Sequence, residues 1–168
     1  MKTPKAFTLV ELLIVVVILG LIAAITLPQF SNASATARAS MLMDDLRVLR
    51  TQLEVFKGQH CGVAPGHPSC DASQEPTEAL FIAQMTESSN ESGQTHPPGT
   101  PGYRYGPYFR EIPRNPVNDK SSVKVIGNDQ SAPTDPDDAY GWLYQPASMT
   151  FKAACSSRDD SGRRYVDY

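Results

Sequence analysis

Between Leu12 and Leu27 the chain has no charged residue, and only Gly20 and Thr26 interrupt a run of Leu, Ile, Val and Ala. An excess of positive charge is also lacking. Fifteen Lys and Arg stand against eighteen Asp and Glu, for a net charge of −3. Bulk electrostatics therefore suggest no nucleic-acid partner. No nucleophile elbow, phosphate-binding loop or H-E-x-x-H motif is present, and the histidines at 60, 67 and 96 fall in stretches read as loops. No enzyme is read here. Proline is nearly absent from the start: twelve of the fourteen prolines lie beyond residue 58. The first third is thus free of helix breakers except at Pro4 and Pro28. The remainder is polar, loop-rich and long enough for only a small core.

Residues 7–27 form an apolar run that, as a helix rising about 1.5 Å per residue, would measure roughly 32 Å, close to a hydrocarbon core of about 30 Å. Lys2 and Lys5 before it predict a cytoplasmic N-terminus and an exported remainder. A cleaved export signal is the rival reading, with Ala33-Ser34-Ala35 imitating a small-x-small site. The length of the run and the acid inside it, Glu11, argue against that rival. An acid in hydrocarbon is costly, by about 2.5–3.5 kcal/mol at a helix centre and less near an end. A cut just before Phe7 would create an α-amino cation, and in a bundle of staggered parallel helices that amine could meet Glu11 of a neighbour. A static single-span anchor presenting a binding domain is the alternative of another class.

The stretch Phe7-Thr8-Leu9-Val10-Glu11-Leu12-Leu13-Ile14-Val15, continuing through Ala23-Ala24-Ile25 to Leu27-Pro28-Gln29-Phe30, resembles the N-terminal segment of type IV pilins and pseudopilins. The resemblance implies cleavage by a prepilin peptidase between Ala6 and Phe7, N-methylation of Phe7, and subunit assembly through Phe7 and Glu11. The family usually has glycine where Ala6 stands. Further on, Tyr105-Gly106-Pro107-Tyr108-Phe109, Ile112-Pro113, Asn115-Pro116-Val117-Asn118 and Gly141-Trp142-Leu143-Tyr144 resemble the head of major pseudopilins of type II secretion. That implies a homo-oligomer in a periplasmic pseudopilus, with other pseudopilins and the inner-membrane secretion platform as partners. A type IV pilin for adhesion, motility or DNA uptake is the alternative within the family.

The fold expected is α+β and pilin-like: a long N-terminal helix packed on a small antiparallel sheet with irregular loops. Its divisions are a leader at 1–6, a transmembrane and assembly helix at 7–30, an amphipathic continuation at 31–58 and an exported head at 59–168. Gly20 and Pro28 mark kinks. Leu42, Leu46, Leu49, Leu53 and Phe56, spaced 4, 3, 4 and 3, predict one buried stripe. A short second helix is expected over 77–87 behind an N-cap at Thr77. Strands are expected in 121–126, 141–144 and 149–153, forming an antiparallel meander. Residues 88–101 read as a mobile polar loop, 107–116 as an extended strap over the sheet, and 158–164 as a frayed tail.

Three cysteines remain. Cys61 and Cys70 flank a turn-rich segment, and in an exported domain a disulfide between them is the default. Cys155 is left over, and the pairing stays open. His60, Cys61, His67 and Cys70 have zinc-ligand chemistry without a standard spacing. The resemblance implies calcium in the C-terminal region. Asp135, Asp137 and Asp138 are the acids available for it, with a solvated acidic turn as the alternative.

Overall fold

The computed structural model describes residues 7–168, and of residues 26–33 the backbone alone. The expected leader at 1–6, with Ala6, lies outside the described residues, as does the Pro28 side chain. Two compact units emerge, one reaching Ala37 and the other comprising Arg38–Tyr168. Helix α1 spans Leu9–Gln59. Gly20 and Pro28 both lie within that helical span.

In the second unit, α1 contributes the predicted stripe. Leu42, Leu46, Leu49, Leu53 and Phe56 are each at most 1% exposed, and Ala39 precedes them in the same row. The 3–4 spacing puts these side chains on one face, so a single helix supplies one wall of the core. His60, just past the helix end, continues the row and is fully buried with its ring stacked on Phe56 at 3.8 Å. Arg50 lies beside the stripe and reaches across, donating to Phe151 O and Tyr168 O at 2.8–3.0 Å.

Helix α2 (Glu78–Thr86) begins where expected. The Thr77 side chain accepts from Leu80 N at 3.3 Å, satisfying one of the orphan donors of the first turn. Phe81 and Met85 of α2 enter the same core as the α1 stripe.

The stretch expected as a mobile loop is a small antiparallel hairpin. Strand β1 (Ser88–Ser89) pairs with β2 (Thr95–His96), and Ser89 also bridges to Tyr105. Asn90 holds the turn, its side-chain oxygen accepting from Ser92 N, Ser92 Oγ and Gln94 N at 2.9–3.1 Å. An Asn folding onto backbone donors two residues on is a local turn device that polarity alone does not reveal.

The main sheet has the order β3 (Val123–Val125), β4 (Trp142–Gln145), β5 (Thr150–Ala153). Strands β4 and β5 form the expected antiparallel hairpin. However, β3 pairs with β4 in parallel, so the sheet is mixed rather than an antiparallel meander. The reason is the connection: residues 126–141 separate β3 from β4. That length permits a crossover, whereas a short link would have imposed an antiparallel pair. One row across the sheet reads Lys124, Leu143, Lys152.

The strap at 107–116 is pinned to α2 and to β4. Tyr108 N and Phe109 N both donate to Met85 O, at 3.1 and 2.9 Å. Trp142 Nε1 donates to Pro113 O at 2.8 Å. The segment at 158–164, expected as a frayed tail, is largely solvent-facing but closed by Asp159 N donating to Arg163 O at 2.9 Å, and the residues after it, Tyr165 and Val166, are buried. The charges around it mislead because Arg50 anchors the last carbonyl, while Asp159 accepts from Tyr168 Oη and from Arg163 N.

Candidate functional site

The described part of the first unit presents apolar side chains without burying them. From Leu9 to Ile25 each large apolar side chain is between 48% and 80% exposed, and Phe7 is 79% exposed. Such a continuous surface far exceeds the scattered apolar residues ordinary at a protein exterior. Among the described residues, no helix is long and apolar enough to cross a membrane. Residues 9–25, over which apolar side chains are described, measure about 25 Å at 1.5 Å per residue.

Glu11 stands at the head of this surface with a partner inside its own chain. Thr8 N and Thr8 Oγ1 both donate to Glu11 Oε2, at 3.0 and 2.9 Å, and Glu11 N donates back to Thr8 Oγ1 at 3.2 Å. This is a capping box, in which the N-cap threonine and the acid three residues later satisfy each other's backbone donors. The signal T-x-x-E was present as Thr8-Leu9-Val10-Glu11. The box fixes where α1 starts and holds the carboxylate at the helix N-terminus, where the helix dipole favours negative charge.

In the head, the structure brings Cys61 and Cys70 together. Both thiols point at one acceptor, Glu91 O, at 3.7 and 3.3 Å. All three cysteines are thiols. Burial, and secondarily the neighbouring Cys61 sulfur, push the Cys70 thiol up to about 11. Cys155 is elsewhere, fully buried in the main core, where Asn115 Nδ2 donates to its sulfur at 3.3 Å. Burial pushes that thiol up to about 11 as well.

The other candidate ligands do not converge. Among the described residues, no group of three His, Cys, Asp or Glu side chains is placed to hold a metal ion. Asp138 is committed to Ser156, accepting from its N at 2.9 Å and its Oγ at 2.8 Å. Asp137 accepts from Ala139 N at 3.1 Å, and Asp135 is exposed, its charge facing Arg164. The three acids thus go to three separate partners: Asp137 closes a local turn, Asp138 ties to the distant Ser156, and Asp135 meets a cation. For the zinc set, His60 Nδ1 lies 2.8 Å from Phe56 O and Nε2 lies 2.9 Å from Ser89 Oγ. The carbonyl can only accept, so in the neutral ring Nδ1 carries the proton and Nε2 accepts. His67 is likewise spent on Gln74 O at 2.8 Å.

Two polar hubs were not legible as such in the sequence. Gln84, buried on α2, accepts from Gly66 N at 2.7 Å and donates to His67 O and Gly93 O at 3.2 and 2.9 Å. It ties the segment after α1 to the β1–β2 turn. Asn115 and Asn118 clamp the sheet ends. Asn115 Nδ2 donates to Gly141 O at 2.8 Å and its Oδ1 accepts from Val117 N. Asn118 Nδ2 donates to Tyr140 O and Ala154 O. The N-P-V-N stretch is therefore a backbone fastener.

Comparison with known proteins adds to this geometry. Residues 1–27 match the prokaryotic N-terminal methylation motif. The chain is 34% identical over 95 residues to the type IV major fimbrial protein FimA of Dichelobacter nodosus, a match covering 55% of this chain and 56% of the relative. It is 26% identical over 115 residues to the type II secretion system core protein G of Dickeya chrysanthemi, covering 68% of this chain and 64% of that protein. The corresponding protein of Klebsiella pneumoniae is 26% identical over 116 residues, covering 69% and 71%. The match to the fimbrial relative thus spans little more than half of that protein. No solved structure matches. These relatives are named as fimbrial and secretion-system proteins. With the capping box and exposed apolar helix lying inside the matched segment, the chain carries the N-terminal methylation motif of type IV pilin-like proteins.

Proposed function

We propose that this chain is a structural subunit of a periplasmic pseudopilus that drives protein export by type II secretion. The observation that carries the reading is the exposed apolar surface over residues 9–25, headed by a single carboxylate. A surface of this kind has to be covered, first by lipid and then by neighbouring helices. On this reading a prepilin peptidase cuts between Ala6 and Phe7, the new amine is methylated, and residues 7–30 hold the subunit in the inner membrane with the head in the periplasm. In the filament the Phe7 amine of one copy meets Glu11 of the next. The buried pairing sets register because an unpaired charge in that greasy interior is costly. Other pseudopilins and the inner-membrane secretion platform complete the assembly. The matches to core protein G reach into the head and cover over two thirds of the chain, which supports the secretion reading.

A second reading is a surface type IV pilin, favoured by the higher identity to the fimbrial relative over its shorter match. Deleting the gene and scoring both extracellular enzyme export and surface motility separates the two. Mass spectrometry of the native polypeptide tests what they share, for which a start at methylated Phe7 is expected.

The capping box permits a sharper test of Glu11. Glutamine also serves in such a box, so Glu11→Gln keeps the cap and removes the charge. Loss of filaments in this variant, with membrane insertion intact, is the expected result. Normal filament yield from Glu11→Gln would reduce Glu11 to a helix cap.

A further inference from the structure

The pairing of three cysteines was open in the sequence, and the structure sets two of them side by side and the third apart. Two observations converge on residues 61 and 70. Their sulfurs both sit on Glu91 O, at 3.7 and 3.3 Å, so they lie no more than 7.0 Å apart, and the Cys61 thiol acts directly on Cys70. Both residues also occupy the left-handed region, with φ of 55° and 53°, and Ser69 between them has φ 51°. Non-glycine residues rarely adopt this conformation, and only a surrounding structure that over-determines it keeps them there. The turns around them are closed by Gly62 N donating to Lys57 O at 3.1 Å and Asp71 N donating to Pro68 O at 3.0 Å, and Gln84 bonds Gly66 N and His67 O inside the loop that the two cysteines bracket.

We infer that Cys61 and Cys70 form a dithiol built to be oxidised to a disulfide by exchange with a partner disulfide, and that Cys155 takes no part. Exposure sets the order of events. Cys61 is exposed and Cys70 is partly covered. The Cys61 thiolate attacks one sulfur of the partner disulfide, and the partner's other sulfur leaves as a thiolate and takes up a proton. Cys70 then gives its proton to water and attacks Cys61 Sγ. The bond from Cys61 to the partner breaks, and the second partner thiol is released. Two electrons and two protons pass from the pair to the partner, whose chemical class is a small or protein disulfide. The raised Cys70 thiol fits the second role, since it stays protonated until Cys61 has been engaged. Cys155 is fully buried and capped by Asn115, out of reach of any partner. The inference rests on local geometry and holds whether or not the filament reading does, although an exported head would meet such disulfides routinely.

The product ties the turn after α1 to the segment before α2 across a loop already in place. In the chain-entropy picture, closing about ten residues shifts the unfolding equilibrium about a hundredfold toward the folded head.

The test uses the full chain in detergent micelles, with oxidised glutathione as the partner disulfide. After acid quenching, the protein is denatured, alkylated without reductant and digested with trypsin. Cys61 and Cys70 fall in one peptide, residues 58–104, and Cys155 in another, residues 153–158. Expected is a 58–104 peptide that has lost two hydrogens and takes no alkyl group until reduced, while 153–158 takes one at once. Cys70→Ser should accumulate a glutathione adduct on Cys61, and Cys61→Ser should leave Cys70 unmodified. Unchanged emission from buried Trp142 shows that each head is folded. Two alkyl groups on 58–104 after oxidation of a folded head, or any linkage to Cys155, would overturn the inference.

Discussion

Gln84 offers the most demanding test of how this head is held together. Its amide is buried, and both ends are used: Oε1 takes Gly66 N at 2.7 Å, while Nε2 serves His67 O and Gly93 O. Gln84→Met keeps length and approximate volume but removes all three bonds, leaving one N–H and two carbonyls buried without that partner. A neutral hydrogen bond contributes about 1 kcal/mol net, and an orphaned buried group costs about 1–3 kcal/mol. The two carbonyls have second lone pairs and looser demands, so the sum should fall near the low end, at roughly 3–4 kcal/mol. Gln84→Glu probes the same site differently. It retains the acceptor for Gly66 N but turns a negative oxygen toward two carbonyl oxygens, so at neutral pH it should be worse than methionine. Lowering the pH protonates the glutamate, restores one donor and narrows that gap. The assay is urea unfolding followed by fluorescence of Trp142, the sole tryptophan, which is fully buried against the sheet. A Gln84→Met midpoint equivalent to less than about 0.5 kcal/mol of destabilisation, within the range of ordinary surface substitutions, would refute the idea that this amide fastens the loop after α1.

Three other outcomes are expected. Leu49→Ala, at a side chain 1% exposed in the middle of the stripe, should cost about 2–5 kcal/mol in the same unfolding assay. Burial lowers the pKa of His60, despite hydrogen bonds that favour the charged form. The neutral ring therefore stabilises the head fully above the unfolded value of about 6.5, and stability is lost as the pH falls below it. Urea midpoints on either side of that value check this, and His60→Gln should flatten the slope. The Asp159 carboxyl is held down at about 2, first by the Tyr168 hydroxyl and then by Ser161. Its contribution is present above the ordinary value of 3.8 and is lost as the pH falls toward about 2. Amide exchange at Ser161 and Arg163 should accelerate over that window in the wild type and show no such step in Asp159→Asn.

How legible was this molecule in its sequence? Elements defined by period or cap were readable. The α1 stripe, the Thr77 cap and the β4–β5 hairpin all follow from local rules that little else can override. Polar residues with distant partners were not. Arg50, spaced off the stripe, reads as a solvent-facing charge, yet it bonds Phe151 O and Tyr168 O more than a hundred positions away. Strand β3 reads as one arm of a meander because composition carries no direction, and its parallel pairing depends on the path of the intervening chain. His60 reads as a loop residue because the helix ends at Gln59, while its ring continues the buried row by one more step. The acids at 135, 137 and 138 show the limit of composition most clearly. Three carboxylates close in sequence suggest a cation, but turn geometry sends them to different partners.

The lysines at either margin of the main sheet have a consequence for crowding. Both outer strands are short, and in the row centred on Leu143 each carries a lysine, while on the β5 side Arg50 also occupies Phe151 O. A foreign strand settling against either margin would have to desolvate that charge, a recognised natural defence against sheet-to-sheet association. If the chain assembles as proposed, heads packed shoulder to shoulder can thereby stay separate folded bodies instead of fusing into a continuous ribbon.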